Sequence, residues 1–209
     1  MLIKINELIY HLNINIKGIL HIGAHECEEL KDYNNAGIDN SNIYWIEAMQ
    51  NKVDLINSKN NNINIYQAVI DDVDDKEINF KITNNGESSS ILDFGSHEIH
   101  HPQVKVVETK VLKTNRMDTI IDKYNIPIDK LNFINLDIQG VELRALKSME
   151  KYLNYVDFIY TEVNIEEVYK GCNLMSEIDE YLSNFGFKRV TQRIYTQYGW
   201  GDAFYMKFN

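Results

Sequence analysis

Cysteine, proline and long apolar runs are all scarce in this chain. It has two cysteines, Cys27 and Cys172, and two prolines among 209 residues. Two cysteines are too few for a disulfide framework or a multi-cysteine zinc site, which favours a reduced, cytoplasmic protein. No targeting segment or membrane span is expected at the start, because polar residues interrupt the apolar ones at Lys4, Asn6, Glu7, Asn13, Asn15 and Lys17.

Positive charge is also in short supply. The chain carries 21 basic and 31 acidic residues, which gives a formal net charge of -10. Because such a chain repels a phosphate backbone and shows no strong basic cluster, we expect no nucleic acid and no membrane among its partners. The apolar content, 44% hydrophobic and 11% aromatic residues, is sufficient for one core. The length favours a single domain over residues 1–209.

Short apolar runs alternate with helix-period stretches along most of the chain. This pattern predicts a Rossmann-like α/β fold, with a mostly parallel sheet and helices on both faces. The predicted strands cover residues 18–23, 42–47, 63–69, 131–136 and 155–160, with a terminal hairpin at 187–191 and 203–208. The predicted helices run from the acidic cluster near 26 to 37, around 53–56, and over 140–153 and 175–185.

The middle of the chain has a different pattern. Residues 77–82 and 104–112 alternate apolar and charged side chains and predict two further strands. Residues 83–103 between them have no period, and a stretch of that length is usually functional or disordered. It contains three serines and three histidines, namely Ser88, Ser89, Ser90, His97, His100 and His101. We interpret it as a candidate substrate loop or lid.

Polar residues follow the predicted strands, at the edge where open α/β sheets bind ligands. They lie at 21–25, at Glu47, at 67–71, at Asp137 and at Glu162. Glu47 follows Gly23 at close to the ~20-residue separation that places an acid on a nucleotide ribose. The alternative is that Gly23 and Ala24 form only a tight turn and that Glu47 is a solvated strand end.

The turn after the first strand is poorly suited to phosphate. It lacks the second and third glycines of the dinucleotide-binding fingerprint. Glu26, Glu28 and Glu29 would also oppose a pyrophosphate at a helix N-terminus. A cationic ligand without phosphate, such as S-adenosylmethionine, suits these acids better.

Six ordered motifs resemble the FkbM family of S-adenosylmethionine-dependent methyltransferases. They are His21-Ile-Gly-Ala-His-Glu, Ile43-Tyr-Trp-Ile-Glu47-Ala, Gln67-Ala-Val, Ser88-Ser-Ser-Ile91, Arg116-Met-Asp-Thr-Ile and Asn135-Leu-Asp-Ile-Gln-Gly-Val-Glu142. The resemblance covers roughly residues 18–165, and residues 201–205 show a weaker similarity. Several motifs in the same order are more specific than one glycine turn. It implies a seven-stranded sheet with an antiparallel last strand, and methyl transfer to a hydroxyl oxygen, often on a sugar or polyketide-like acceptor.

The resemblance also implies roles for individual residues. Gly23 and Ala24 would approach the methionine part of the cofactor, Glu47 would hold the ribose, and Ala68 and Val69 would pass beside the adenine. The full set implied for S-adenosylmethionine is Gly23, Ala24, His25, Glu47, Ala48, Ala68, Val69 and Ser90. Two residues depart from the family pattern, His25 where the family usually has Asn and Gln139 where it usually has Glu.

A hydroxyl nucleophile needs a general base within hydrogen-bond reach. Asp137, which matches the acid of the family's Asp-x-x-Gly-x-Glu motif, is the first candidate and Glu162 the second. Asp137 has two alternative roles of equal standing: contact with the ammonium of the cofactor, or capping of the helix that starts near Gly140.

The lid histidines and the C-terminal aromatic residues are candidates for acceptor binding. His97, His100 and His101 have no regular spacing that would place them on one metal ion, so we predict substrate contacts and no metal site. Trp200 and Tyr198 beside Gly199 are candidates to face a sugar ring, because aromatic faces serve as stacking surfaces as well as core.

The sequence therefore predicts an O-methyltransferase for a sugar hydroxyl, on a nucleotide-sugar or a glycan. The alternatives are a lipid or secondary-metabolite hydroxyl, or a non-catalytic binding module with the same fold. The expected partner is a small-molecule acceptor, and a homo-oligomer is possible. Because the acidic surface would repel a nucleotide-sugar, we single out three basic residues as candidates to contact it, Lys105, Lys113 and Arg116.

Overall fold

The structure is a computed structural model that describes residues 1–59 and 62–208. The helices in these residues are α1 (Ile5–Leu12), α2 (Leu30–Asn35), α3 (Gln50–Lys59), α4 (His97–His100), α5 (Met117–Tyr124), α6 (Glu142–Ser148) and α7 (Met175–Ser183). The strands are β1 (Ile19–Ile22), β2 (Ile43–Glu47), β3 (Asn64–Gln67), β4 (Val69–Ile70), β5 (Glu77–Thr83), β6 (Val106–Asn115), β7 (Phe133–Leu136), β8 (Phe158–Asn164), β9 (Phe187–Tyr195) and β10 (Trp200–Lys207). Short 3-10 helices cover Asn40–Asn42, Ile128–Lys130 and Glu150–Tyr155.

A seven-stranded sheet forms the centre of the molecule, in the order β3-β2-β1-β7-β8-β10-β9. The pairs among β3, β2, β1, β7 and β8 are parallel, and β10 runs antiparallel to both β8 and β9. This topology confirms the predicted Rossmann-like sheet with an antiparallel last strand. The parallel strands all end at one edge, so their following residues meet there.

The predicted strand at 63–69 is two strands that belong to different sheets. After β3, the amide of Ala68 donates to the carbonyl oxygen of Glu47, and the chain then leaves the main sheet as β4. β4 joins a second sheet of order β4-β6-β5, in which β5 and β6 pair antiparallel. The two alternating stretches in the middle of the chain are therefore confirmed as strands.

The helices differ from the prediction at several boundaries. The acidic cluster does not start a helix, because His25 and Cys27 have φ of 44° and 58° and α2 begins only at Leu30. The predicted helix at 140–153 is α6 followed by a 3-10 segment. Helices α1 and α5 lie outside the predicted set. The longest described helix has 10 residues, and no described helix is long and apolar enough to cross a membrane.

Apolar side chains pack on both faces of the main sheet. On β1, Leu20 and Ile22 belong to one buried cluster and Ile19 to the other. On β7, Ile134 lies in the first cluster and Phe133 in the second. Strands covered on both faces read as continuous apolar runs, which is why these two were visible in the sequence.

His21 is part of the sheet interior. Its ring stacks on Trp45 at a centroid distance of 4.6 Å, and its Nδ1 lies 3.1 Å from the hydroxyl of Tyr33. The amide of Asn135 donates to the same hydroxyl at 2.8 Å. Burial lowers the pKa of His21, so the ring stays neutral. This polar cluster joins β1, β7 and α2 beneath the carboxyl edge.

Gly23 offers a test of how closely β1 and β7 approach each other. It has a φ of +96°, and a Cβ at this position would lie 1.8 Å from the carbonyl oxygen of Asp137. We expect Gly23→Ala to lower the free energy of unfolding by more than ~3 kcal/mol, because backbone has to move. Urea unfolding of the purified variant measures this loss.

Gly37 provides the matched control. It has a φ of +85°, but a Cβ there would meet nothing within 4 Å. Gly37→Ala therefore isolates the left-handed backbone penalty, about 1–2 kcal/mol. Equal losses in the two variants would show that the clash with Asp137 is unimportant.

Candidate active site

A cavity of 510 Å³ opens at the carboxyl edge of the main sheet. Residues from the ends of β1, β2, β3, β7 and β8 and from the 83–103 segment line it. Those that the sequence predicted are Gly23, Ala24, His25, Glu47, Ala48, Ala68, Val69, His97, His101, Asp137, Glu162 and Trp200. The strand ends therefore bring the predicted cofactor, base and acceptor residues into one space.

Glu47 is held rigidly at the end of β2. Its side chain is buried, Oε2 accepts from the amide of His25 at 2.7 Å, and Oε1 accepts from the amide of Met49 at 2.8 Å. Burial raises the pKa of Glu47, and these two N–H groups oppose the rise. Each oxygen keeps a further lone pair, so the carboxylate is able to accept from a ligand hydroxyl.

His25 ties together the acidic turn after β1. Its Nδ1 lies 2.5 Å from Glu28 Oε1, and Lys52 Nζ lies 3.0 Å from its Nε2 and 2.6 Å from Glu26 Oε1. The hydrogen bond with Glu28 raises the pKa of His25, against its burial and the Lys52 ammonium. Since Lys52 donates to Nε2, we place the ring proton on Nδ1. Lys52 also compensates Glu26 outside the cavity.

An apolar wall flanks Glu47. It consists of apolar side chains that follow β2 and β3, one ring from β5 and one residue of the 83–103 segment, namely Ala48, Met49, Ala68, Val69, Ile70, Phe80 and Ile91. Phe80 reaches this wall because β4 leaves the main sheet and carries the β5–β6 pair beside the cavity. The wall provides a surface against which a flat aromatic group is able to pack.

A hydrogen-bonded network of two carboxyl groups and one amide lies after β7. Gln139 Nε2 donates to Asp137 Oδ1 at 2.6 Å and to Glu162 Oε2 at 2.7 Å. Its Oε1 accepts from the hydroxyl of Tyr169. This geometry accounts for Gln139 where the family usually has Glu, because an amide donates to both acids whereas a third carboxylate would repel them.

The two buried acids of this region differ from Asp137 in environment. Burial, followed by the charges of Asp137, Glu142 and Asp202, raises the pKa of Glu162 well above its ordinary value. Burial also raises the pKa of Glu142 to about 7. Burial therefore favours the protonated form of Glu162, whereas Asp137 is exposed at the cavity. Of the two predicted base candidates, Asp137 is the better placed to accept a proton.

Glu142 and Ser90 shape the loop that carries Asp137. Glu142 Oε1 accepts from the amides of Ile138 at 3.0 Å and Gly140 at 3.1 Å. Ser90 Oγ donates to the carbonyl oxygen of Gln139 at 2.8 Å. Ser90, predicted to bind the cofactor, lies outside the cavity lining, and its hydroxyl instead joins the 83–103 segment to this loop. Its neighbours Ser88 and Ser89 line the cavity.

The 83–103 segment is ordered against the loop after β8. The amides of Gly95 and His97 donate to the carbonyl oxygen of Val168 at 2.9 and 3.1 Å. His97 is 6% exposed and stacks on Phe94 at 4.4 Å. Burial and the nearby histidines lower its pKa to about 4, so it stays neutral. Among the described residues, its Nδ1 has no hydrogen-bond partner.

The structure separates the three lid histidines. His97 and His101 line the cavity, and their rings lie 5.0 Å apart. His100 lies outside the lining, with Nε2 3.0 Å from Glu166 Oε1. Within residues 1–59 and 62–208, no group of three or more metal-binding side chains is arranged to hold a metal ion.

The three basic residues singled out from the sequence do not reach the cavity. Lys105, Lys113 and Arg116 are absent from its lining, as is every other Lys or Arg that the structure describes. Arg116 instead pairs with Asp118 at 3.0 Å and donates to the carbonyl oxygen of Ser148 at 3.1 Å. The cavity is lined by acids on several sides, namely Glu28, Glu29, Glu47, Glu87, Asp137 and Glu162.

The strand order, the single antiparallel strand and a ligand cavity at the carboxyl edge define the fold of class I methyltransferases. The chain belongs to the FkbM family of these S-adenosylmethionine-dependent enzymes, because the profile of the methyltransferase FkbM domain matches residues 21–189. The predicted family is thereby confirmed. No curated protein matches the chain.

Solved structures of methyltransferases are similar to this one. The methyltransferase FkbM from Methylobacillus flagellatus KT has a TM-score of 0.54 at 15% identity, over 91% of this chain and 43% of that chain. This chain thus spans less than half of that protein's length. Sp1610 of Streptococcus pneumoniae, a proposed tRNA (m1A22) methyltransferase, has a TM-score of 0.52 at 13% identity, over 100% and 72% of the chains. The methyltransferase domain of bacterial CtHen1-C reaches 0.51 at 9% identity, over 98% and 96%.

Some residues of the cavity escaped the sequence prediction. Met49 and Phe80 of the apolar wall and Tyr169 beside Gln139 had no motif to mark them. Tyr169 lies beside the network, where its backbone forms an isolated β-bridge with Phe94 of the 83–103 segment. Gln139 was visible as a departure from the family pattern, but its two carboxylate partners became evident only in three dimensions.

The buried acids predict a pH dependence of stability. Because folding raises the pKa of Glu162, the Glu162 carboxyl binds more protons in the folded chain than in the unfolded chain above pH 4.5. The contribution of Glu162 to the free energy of unfolding is therefore full below that pH and is lost as the pH rises. We expect Glu162→Gln to remove this loss, so that the variant gains stability relative to the parent chain as the pH rises above 4.5.

Urea unfolding at several pH values measures this difference. Comparing variant with parent at each pH cancels the opposite contribution of His97, whose lowered pKa stabilises the fold as the pH rises. Glu98→Gln, at an exposed position of α4, is the control. A parallel pair of stability curves for Glu162→Gln and parent would contradict the assignment of a buried proton to Glu162.

Proposed function

We propose that this chain is an S-adenosylmethionine-dependent O-methyltransferase that acts on a sugar hydroxyl. One observation carries the proposal. A single cavity joins Glu47 and its apolar wall to the Asp137–Gln139–Glu162 network, to His97 and His101 of the 83–103 segment, and to Trp200 at the start of β10. A cofactor site and an acceptor site are thus adjacent, with a proton acceptor at their boundary.

The lining fits S-adenosylmethionine in each of its parts. Glu47 has free lone pairs for the ribose diol, and the wall of Ala68, Val69 and Phe80 suits adenine. Glu28 and Glu29 are paired with His25 and with the Met1 ammonium, and the acids of the lining together suit the ammonium and sulfonium charges. When bound, the cofactor supplies the methyl group.

Asp137 is proposed as the general base. A hydroxyl that accepts a methyl group must lose its proton, and a carboxylate at the cavity is able to take it. Gln139 donates to Oδ1 of Asp137 at 2.6 Å, which orients the carboxylate. Glu162 holds a proton and so keeps a second negative charge away from Asp137.

The acceptor wall favours a sugar that carries no phosphate. His101 and Trp200 line this part of the cavity with aromatic rings, next to the buried ring of His97, and Glu87 and Gln103 add hydrogen-bonding groups. Aromatic faces pack against the C–H face of a sugar ring, and polar groups bind its hydroxyls. The acids of the lining oppose a diphosphate, so a glycan is favoured over a nucleotide-sugar, and RNA is disfavoured for the same reason.

A substitution of Glu47 tests whether this side chain binds the cofactor. We expect Glu47→Gln to weaken S-adenosylmethionine binding by at least ~10-fold, because a hydrogen bond from a ligand to a charged group contributes about 1.5–3 kcal/mol. Isothermal titration calorimetry measures the affinity. Asp32→Asn, at an exposed position of α2, is the matched control and should bind normally.

A 2′-deoxyribose analogue of S-adenosylhomocysteine separates this role from misfolding. It lacks a hydroxyl that Glu47 would bind, so Glu47→Gln should weaken it less than the parent ligand. No detectable binding of S-adenosylmethionine to the unaltered chain would refute the cofactor and identify a non-catalytic module.

A substitution of Asp137 tests whether this side chain is the general base. We expect Asp137→Asn to reduce kcat by ~100-fold or more, the usual contribution of general base catalysis, while the affinity for S-adenosylmethionine changes little. Steady-state kinetics and calorimetry give the two values. A large loss of cofactor affinity with unchanged kcat would instead assign Asp137 to the cofactor ammonium.

A panel of acceptors tests the substrate class, with release of S-adenosylhomocysteine as the measurement. Each sugar is supplied in three forms: a neutral glycoside, the sugar phosphate and the nucleoside diphosphate sugar. We expect the neutral glycosides to be methylated and the phosphorylated forms to react at least ~10-fold more slowly, because the lining acids repel them. Faster reaction of the nucleotide-sugars would overturn the preference. A second panel of lipid and secondary-metabolite alcohols is assayed in parallel, and reaction confined to that panel would overturn the sugar assignment.

A further inference from the structure

The long strand β6 has an edge that is not paired for most of its length. On one side it pairs with β5 from Val106 to Lys113, while on the other side β4 pairs only with Thr114 and Asn115. No other described strand pairs with residues 106–113 on that second side. Their outward N–H and C=O groups thus form a template to which another strand is able to add.

The same stretch exposes apolar side chains. The exposed fraction is 63% for Val107 and 67% for Val111, and every residue from Val106 to Val111 is exposed. Thr109 and Val111 lie on one face of the strand, because side chains alternate along a strand. Val107 precedes them at a β-bulge, where the register with β5 shifts between Glu108 and Val106. β-Branched residues in such positions gain stability when a neighbouring strand covers them.

The five residues centred on Thr109 are self-complementary. Reading outward from Thr109, Glu108 and Lys110 carry opposite charges, and Val107 and Val111 are identical. In an antiparallel pair with a twofold axis at Thr109, Glu108 faces Lys110 of the second copy, and Val107, at the bulge, lies beside Val111 of the second copy. The pairing is confined to these five residues, because Lys105 and Lys113 would oppose each other further out. Opposite charges in such facing positions are stabilising, and like charges are destabilising.

We propose that the partner of this edge is a second copy of the chain. The two β6 strands pair antiparallel about Thr109 and join two three-stranded sheets into one of six strands. Glu108 and Lys110, which lie 3.6 Å apart in one chain, then each gain a second ion-pair partner across the interface. The interface is isologous, as twofold dimers require.

A charge exchange on the full chain tests the proposal. Glu108→Lys places like charges opposite each other twice, and so does Lys110→Glu. We expect each single variant to raise the dimer dissociation constant by at least ~10-fold, because two favourable cross-strand pairs become repulsive. Sedimentation equilibrium measures the constant, and circular dichroism checks that each variant folds.

Two further samples make the test specific. The double variant Glu108→Lys/Lys110→Glu restores opposite charges and should dimerise like the parent, and an equimolar mixture of the two single variants should form mixed dimers. A merely damaged hairpin would not recover in either sample. A parent chain that stays monomeric at ~100 µM, or single variants that dimerise as well as the parent, would overturn the proposal.

Discussion

The close contact between the ends of β1 and β7 is the constraint on which the candidate active site depends. Gly23 lies against the carbonyl group of Asp137, while its amide and that of Ala24 donate to the carbonyl oxygen of Ile46 at 2.9 Å. Three neighbouring strand ends are therefore held together by backbone alone. This contact sets the distance between the turn proposed for the cofactor and the carboxylate proposed as base, and a side chain at position 23 has no room there.

Around this contact, the molecule separates its negative charges by giving each acid a different partner. Glu47 is held by two backbone amides, Glu26 by Lys52, and Asp137 by Gln139. Glu162 is too deeply buried to ionise easily and keeps its proton. The acidic balance of the chain is thus partly concentrated in a cavity that suits a cation, and Glu47, Asp137 and Glu162 are each stabilised there by a local contact.

The histidines show how burial decides what a motif residue does. His21 is neutral and forms part of the sheet interior, His25 orders the acidic turn, and His97 lines the cavity with a lowered pKa. His100 pairs with Glu166 outside the cavity. The sequence predicted the same role for His97, His100 and His101. Their spacing does not show which side of the short helix α4 packs on the loop after β8.

The sequence by itself determined the strand pattern, the family and the acids at the strand ends. Buried parallel strands must be apolar on both faces, and their ends must meet at one edge, so both are visible in a one-dimensional pattern. Only the tertiary structure decided that Gln139 bridges Asp137 and Glu162, that Ser90 joins two loops, and that Tyr169 and Phe80 reach the cavity. These contacts join residues far apart in the chain, and side-chain periodicity carries no information about which loops meet.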